Sequence, residues 1–471
     1  MPNKHPKPLD TRRRAAGYML VLGAAMLITV IGYASVMTAR FNTRMVAGTN
    51  DWARAGALAI GAAELAPLVL EEKPDWRTDL TSGIPVRFKI DGQAVNVIFV
   101  DEDDGDFTTG TYDPVRAYGM ATVGDAVRVR SVLLTPNTNV PMTCLEVAAH
   151  SASGFTGLTA TLTSNQIIST AASFTGALVT INADVEYAGT LAGVTVNGTQ
   201  TKTTEPRTMP DPASVFEYYI NHGTIIPLDS LPMFDGDRAI DEAVLTPISN
   251  PYTGELNPEG IYVIDCEGGI VTVRNSRIEG TIVLLNAEAN DMADHCKVVG
   301  QVTWKPAIPN YPAALVQGNF DFAFDGGVMM SESVIGVNLN PVGTPYNGAE
   351  DAALDDEYPS RIQGIVYATS GTGFLSNTPY LEGVWLSGEM FGAIGNSNGT
   401  INFSKRYYQE PPPGFGAGPY EPVVGTWRWD EAPCGSRNST CTDDSECCSG
   451  NCDEIAKKCR KFVEVVDLGL K

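Results

Sequence analysis

Histidine is nearly missing from this chain. Four occur in 471 residues, and His5 lies in the basic N-terminal stretch, leaving His150, His222 and His295 for everything else. None stands in H-E-x-x-H or another metal-ligand spacing, which excludes the common His-based zinc hydrolases. Charge is sparse too, at 18% of residues, and beyond residue 75 no long Ala/Glu/Lys/Leu run supports an extended helix. Glycine (47) and proline (30) take their place, as in a turn-rich β protein. A chain of this length exceeds one ordinary core, so several domains are expected.

A further scarcity is local. No charged residue occurs between Arg14 and Arg40, a run holding Tyr18, Met19, Leu20, Val21, Leu22, Met26, Leu27, Ile28, Val30 and Ile31. At about 1.5 Å per residue such a helix covers the roughly 30 Å hydrocarbon core. The preceding Lys4, Lys7, Arg12, Arg13 and Arg14 place the N-terminus in the cytoplasm and the rest across the membrane. A cleaved signal peptide is the rival, but its apolar region is usually shorter and an A-x-A-like site follows it. The remainder of the chain is acidic, with a net charge of -23 for the whole. That sign disfavours nucleic acid and anionic surfaces as partners.

Asn50 reads as an N-cap from which a second helical stretch runs to Pro74, with Trp52, Ala55, Ala59, Ala62, Ala63, Leu65 and Ala66 on its apolar face. Its small residues admit another backbone closely, either a neighbouring helix or the protein's own ectodomain. Residues 12 to 77 resemble the type IV pilin-like family, especially minor pilins with a PilX-type start and the K-type tip subunit of type II secretion. The resemblance rests on the basic leader Arg12-Arg13-Arg14, the small pair Ala16-Gly17, the apolar run from Tyr18, and Ala55 to Leu65 followed by Pro74-Asp75-Trp76-Arg77. It implies cleavage between Gly17 and Tyr18. The family's repeating subunits carry Glu at the fifth mature position, where this chain has Leu22, as the K-type tip subunit also departs. The resemblance therefore implies a tip or priming role among other pilin-like subunits in a bacterial inner membrane, with the ectodomain periplasmic or at the cell surface.

From about Ile84 the period changes to two. Val86 to Val100 alternates around Asp91-Gly92, a hairpin signal, and opens a β subdomain over 77–143. It runs into Asp101, Asp103, Asp104 and Asp106, oxygen ligands that suit Ca²⁺, although no distal Glu completes an EF-hand. An acidic surface turn is the alternative, and no other cofactor is expected.

The middle of the chain repeats. Gly157-Leu-Thr-Ala-Thr-Leu recurs as Gly176-Ala-Leu-Val-Thr-Ile, Arg361-Ile-Gln-Gly364 as Tyr380-Leu-Glu-Gly383, and Arg277-Ile-Glu-Gly280 as Lys297-Val-Val-Gly300. Short β-branched strands at such spacing bury their apolar face only by stacking on neighbours, so 144–408 is expected to form a parallel β-helix, or β-solenoid. A β-sandwich with hairpins would give similar spacings.

The Pro/Gly-rich stretch 409–430, with Pro411, Pro412 and Pro413, reads as a stiff linker. Six cysteines follow within 431–461: Cys434, Cys441, Cys447, Cys448, Cys452 and Cys459. So small a module lacks a core and depends on disulfides in an oxidising compartment. Sequence alone allows 15 connectivities. Zinc is the rival, though adjacent Cys447 and Cys448 suit a tetrahedral site poorly. The spacing resembles inhibitor cystine knots, which implies pairing of Cys434 with Cys448, Cys441 with Cys452 and Cys447 with Cys459. Cys144, Cys266 and Cys296 remain, the last two as a candidate bridge between coils. The fold class is thus mainly β: leader 1–17, membrane and amphipathic helix 18–76, β subdomain, solenoid, linker, disulfide-rich module and tail 462–471.

Catalytic signals are weak. Gly395-Asn-Ser397-Asn-Gly399 matches G-x-S-x-G, but a strand rather than a helix follows, and Asn398-Gly399 reads as a hairpin turn. Asp235, Asp237, Asp241 and Glu242, or Asp355, Asp356 and Glu357, act as acid and base only if they converge. The expectation is a non-enzymatic anchored subunit presenting its ectodomain for assembly or adhesion. A β-helix carbohydrate-active enzyme or binding module is the alternative, by fold analogy.

Overall fold

The computed structural model describes residues 11–73, 76–90, 92–102, 104–108, 113–288, 295–393, 395–416, 418–431, 452–453 and 458–459. The chain divides into two compact units, residues 1–108, 113–135 and 420–471 in the first and 109–112 with 136–419 in the second.

In the first unit a single helix, α1 (Thr11–Glu64), runs without a break. Asn50 is inside it rather than at a cap, because an intact ladder of backbone bonds outweighs the few tenths of a kcal/mol by which Asn disfavours helix. Residues 17–50 are exposed throughout, and this stretch is long and apolar enough to cross a membrane. Beyond Ala55 one face turns inward, and Ala55, Ala59, Ala62, Ala63 and Ala66 are fully buried. Of the two uses of small residues, packing on the protein's own sheet is the one observed.

That sheet is an antiparallel meander of β1 (Pro85–Ile90), β2 (Gln93–Asp101), β3 (Val115–Val123) and β4 (Ala126–Pro136). Ile90 pairs with Gln93 across the expected two-residue turn, although Asp91 itself lies outside the described residues. β3 meets α1 at Gly119, where a Cβ would stand 2.2 Å from the Ala59 carbonyl oxygen and 2.4 Å from the Ala63 nitrogen. Only glycine permits that approach. The 409–430 stretch is not a free linker. Tyr420–Pro422 and Arg428–Trp429 are strands on β4, with Arg428 opposite Ser131, and Phe415 is fully buried. The chain leaves the sheet after β4 and rejoins it at Tyr420, so the second unit is an insertion within the first. Near the rejoining strand Trp76 packs edge-on to Phe107 and Tyr420 at 5.3 and 5.4 Å, and Arg77 stacks on Trp76.

The second unit is the expected stack of parallel coils, wound in an order the sequence does not announce. Ala149–Lys202 forms one run of coils, in which Gly157 lies on Gly176 and Ile168 on Val185. After helix α2 (Pro212–His222) the chain starts again at Thr224–Ile225 and winds coil on coil to Asn398–Phe403. Its last coil then pairs in parallel with the first of the earlier run, Trp385 beside Ala149, Phe391 beside Phe155 and Asn398 beside Thr161. The stack is therefore entered and left in its middle.

Two of the three repeats coincide with backbone pairing, Gly157 with Gly176 and Gly364 with Gly383. The third does not: Lys297 pairs with Thr272, and Arg277 with Thr303, across a bulge at 274–276. Asn398-Gly399 is also not a hairpin, since Asn398–Phe403 is a strand in parallel ladders. Inside the coils aromatic rings stack along the axis, Trp385 against Phe322, Phe374 and Phe391 at 4.6–5.6 Å. On one outer face a second apolar layer forms under α2, where Val215, Phe216 and Tyr219 cover Ile261, Val263, Val283 and Ile365. Asp211 caps that helix by accepting from Ser214 N–H at 3.1 Å, worth about 1 kcal/mol.

Candidate functional site

Coils that repeat a residue at one corner build a row of like positions. In Ile278-Glu279-Gly280, Ile362-Gln363-Gly364 and Leu381-Glu382-Gly383 an amide or carboxylate precedes a corner glycine. The glycines have a steric cause: a Cβ on Gly383 would stand 1.9 Å from the Gly364 carbonyl oxygen, and one on Gly280 2.2 Å from that of Gly260. Register then aligns their neighbours. Glu279 pairs with Lys305, Trp304 with Ile362, which sets Lys305 beside Gln363, and Gln363 pairs with Glu382.

These side chains line a polar groove of about 340 Å³ with Pro306, Pro309, Arg406 and Tyr407. Within it charges are matched locally. Glu279 contacts Arg277 at 2.9 Å and Lys305 at 3.3 Å, while Glu382 contacts Arg361 at 2.9 Å and accepts from Gln363 at 3.1 Å. Rungs of a ladder lie about 4.8 Å apart, so three steps separate the two carboxylates by roughly 14 Å. Paired glycosidase carboxylates stand about 5 to 9.5 Å apart. The groove offers alternating charge along the stack and not a general acid facing a base. Sequence reading missed it, although the nineteen-residue repeat already put Gln363 and Glu382 at one position.

A second cleft, of about 480 Å³, lies between α2 and Pro411, Pro412 and Pro413. Tyr218 stacks on His222 at 4.2 Å, and the Tyr218 and Tyr311 hydroxyls meet at 2.8 Å. Tyr311 in turn donates to Glu259 at 3.0 Å. Burial and these two bonds push the Tyr311 phenol upward, so it stays a neutral donor.

The two other histidines among the described residues, His150 and His295, are each occupied. His295 Nδ1 lies 2.5 Å from Asp321. His150, fully buried, forms a rung of a ladder with Ser169 and Glu186 on successive coils. Ser169 Oγ gives its hydrogen to Glu186 at 3.0 Å, so His150 Nδ1–H donates to Ser169 at 3.1 Å and Nε2 is the unprotonated nitrogen. Burial, aided by the Arg207 charge and opposed by Glu186, pushes this imidazole down to about 4.

The acidic candidates do not converge on one another's protons. Asp241 and Glu242 share Arg274 at 3.0 and 3.7 Å, Asp237 lies 3.8 Å from Lys297, and Asp356 accepts from Asn340 at 2.8 Å. Ser397 is buried in the turn before a strand, without the helix of a nucleophile elbow. Of the Ca²⁺ candidates, Asp101 is buried at the end of β2, Asp104 accepts from Asp106 N–H, Asp106 accepts from Thr108, and Asp103 lies outside the described residues. Among the described residues no group of three His, Cys, Asp or Glu side chains is placed to hold a metal. Gly17 and Tyr18 stand on the bare part of α1, Tyr18 exposed and Gly17 with nothing near it. Cys434, Cys441, Cys447 and Cys448 lie outside the described residues. Cys452 and Cys459 are backbone partners in a short antiparallel pair.

No family model and no curated protein matches the chain. Among solved structures it is similar to the competence-associated pilin ComZ from Thermus thermophilus, at 9% identity and a TM-score of 0.30, over 81% of this chain and 98% of that one. At that score the likeness carries no argument.

Proposed function

We propose that the protein is a non-enzymatic, membrane-anchored pilin-like subunit that presents its coil stack on the far side of a bacterial inner membrane, at the tip or priming end of a pilus or secretion apparatus. The observation that carries this reading is α1. One unbroken helix is bare from residue 17 to 50, carries no charge from there until Arg40, and lies under its own antiparallel sheet from Ala55 onward. A bare apolar helix is costly in water and stable in lipid or among other such helices. Leu22, in place of the acidic residue of the repeating subunits, supports an end position. The acidity of the chain argues against nucleic acid as a partner, and the role needs neither cofactor nor metal.

The test is the mass of the N-terminal peptide of the membrane-extracted protein, with identification of what co-purifies. A mature chain starting at Tyr18, together with other pilin-like subunits, is expected. Replacing Gly17 by a bulky residue should leave the basic leader attached and block assembly. A protein that starts at Met1 and stands alone in the membrane would overturn the assignment. A carbohydrate-active enzyme is the second reading, favoured by the polar groove alone and opposed by the spacing of its carboxylates.

A further inference from the structure

Within the coil stack Cys266 and Cys296 lie on successive coils and are buried to within 1% of full coverage. Cys266 follows the strand Ile261–Asp265, and its N–H donates to the Leu285 carbonyl of the next coil at 2.8 Å. Cys296 opens the strand Cys296–Lys305, is paired with Phe320, and accepts at Sγ from the Val271 N–H of the coil beneath at 3.2 Å. Each sulfur is thus positioned by ladder bonds of its own backbone, and the two side chains are hydrogen-bonded to each other. Both are thiols here. Backbone bonds hold the two coils in register around the pair, Gly268 N–H donating to the Asn286 carbonyl at 2.8 Å and Glu288 N–H to the Gly269 carbonyl at 3.2 Å.

We propose that Cys266 and Cys296 are joined by a disulfide in the mature protein, a staple between successive coils. Two S–H bonds are lost and one S–S bond forms; a disulfide of the surroundings, RS–SR, is reduced to two RSH. One thiolate attacks RS–SR, giving a mixed disulfide and RS⁻, and the second thiolate displaces the other RS⁻, the two thiol protons completing the two RSH. The hydrogen bond that the Cys266 thiol donates to Cys296, together with burial, pushes the Cys266 thiol upward once the coils close. The exchange therefore belongs to folding, before the pair is sealed in. Burial afterwards shields the bond from reductants. Cys144 is equally buried but lies in the separate layer with Met142, Leu145 and Phe415, and is an internal control.

The proposal rests on the reading that this unit lies outside the cytoplasm, and two samples separate the pair from the compartment. The full chain is isolated from its own membrane without reductant, alkylated under denaturing conditions and digested with trypsin. A peptide joining residues 239–274 to 278–297 is expected, lighter by two hydrogens than the separate peptides and lost on reduction, with Cys144 alkylated. In parallel, reduced full-length protein is refolded in a glutathione redox buffer. The linked peptide in both samples supports the staple. Its presence only after refolding supports the pair and overturns the extracytoplasmic reading. Its absence from both, or Cys266 linked to any other cysteine, overturns the proposal. Cys144→Ala should leave the linked peptide unchanged, whereas Cys266→Ala should abolish it.

Discussion

β3 and the strand Arg361–Ala368 are both buried on two sides, yet they reach that state differently. Residues 115–121 of β3 are all buried because α1 covers one face, with Gly119 touching the helix backbone, and Ile98, Tyr118, Met120 and Val129 cluster on the other. Residues 364–368 are buried because coils above and below share their interior while α2, Tyr407 and Phe415 shield the outside. The sheet depends on one lid held at backbone distance. The coil stack depends on many equivalent neighbours, so its damage should stay local. The first break in this comparison is Gly119→Val. Its new Cβ meets backbone atoms on α1, not the end of a flexible side chain. The helix must lift away, and the cost exceeds the 1–3 kcal/mol of ordinary overpacking. In denaturant unfolding of the full protein, the transition of the first unit should disappear while that of the coil stack persists.

Trp385→Ala is the counterpart inside the stack. The indole packs on Phe322, Phe374 and Phe391 and donates to Thr372 at 3.1 Å, so truncation should cost about 3–5 kcal/mol. Hydrogen exchange should rise in the adjoining coils, 362–374 and 149–155, and stay native in 261–285. A uniform rise would show that the stack is one cooperative body and would remove the contrast with the sheet.

The contrast also explains what was legible in advance. Alternation with a two-residue turn identified β1 and β2, and the apolar run identified the bare helix, because both signals are local. Gly157/Gly176 and Gly364/Gly383 gave the coil register, since stacked backbones exclude a Cβ at those corners. The strands Tyr420–Pro422 and Arg428–Trp429 stayed hidden because their partner β4 lies nearly 290 residues earlier. No periodicity crosses an insertion. The pairing of Trp385 with Ala149 was hidden for the same reason, and the bulge at 274–276 shifted the third repeat out of register. The polar groove needs four coils in register before its residues become neighbours.

A smaller effect separates the units by pH. His150 titrates near 6.5 when unfolded and at about 4 in the fold, so between these values the unfolded chain binds the extra proton. Stability from this group is complete above about pH 6.5 and is lost as pH falls toward 4, by about 3 kcal/mol in all. The loss should appear in the coil-stack transition alone. Comparing wild type with His150→Gln at pH 7 and pH 4.5 isolates it from carboxylate titration. An equal acid loss in both proteins would show that His150 is not the group responsible.

The smallest expected effect is at Glu382. The carboxylate and its partner Arg361 are each about a third exposed, so solvent screens the pair and Glu382→Gln should cost under about 1 kcal/mol, less at high salt. Glutamine keeps the size of the side chain and can still accept from Gln363, so the corner glycines and the strand register are undisturbed. The same substitution separates the two functional readings. If the groove is a charged surface of the stack, the variant should insert, assemble and fold as wild type does, with only its salt dependence of stability reduced. If Glu382 is a catalytic carboxylate despite lying some 14 Å from Glu279, wild type should cleave a polysaccharide and the variant should lose at least a hundredfold of that rate. Reducing-sugar release from neutral and charged polysaccharides, measured for both proteins, decides between them: cleavage by wild type that Glu382→Gln abolishes would overturn the non-enzymatic reading and make the coil stack the working part of the molecule.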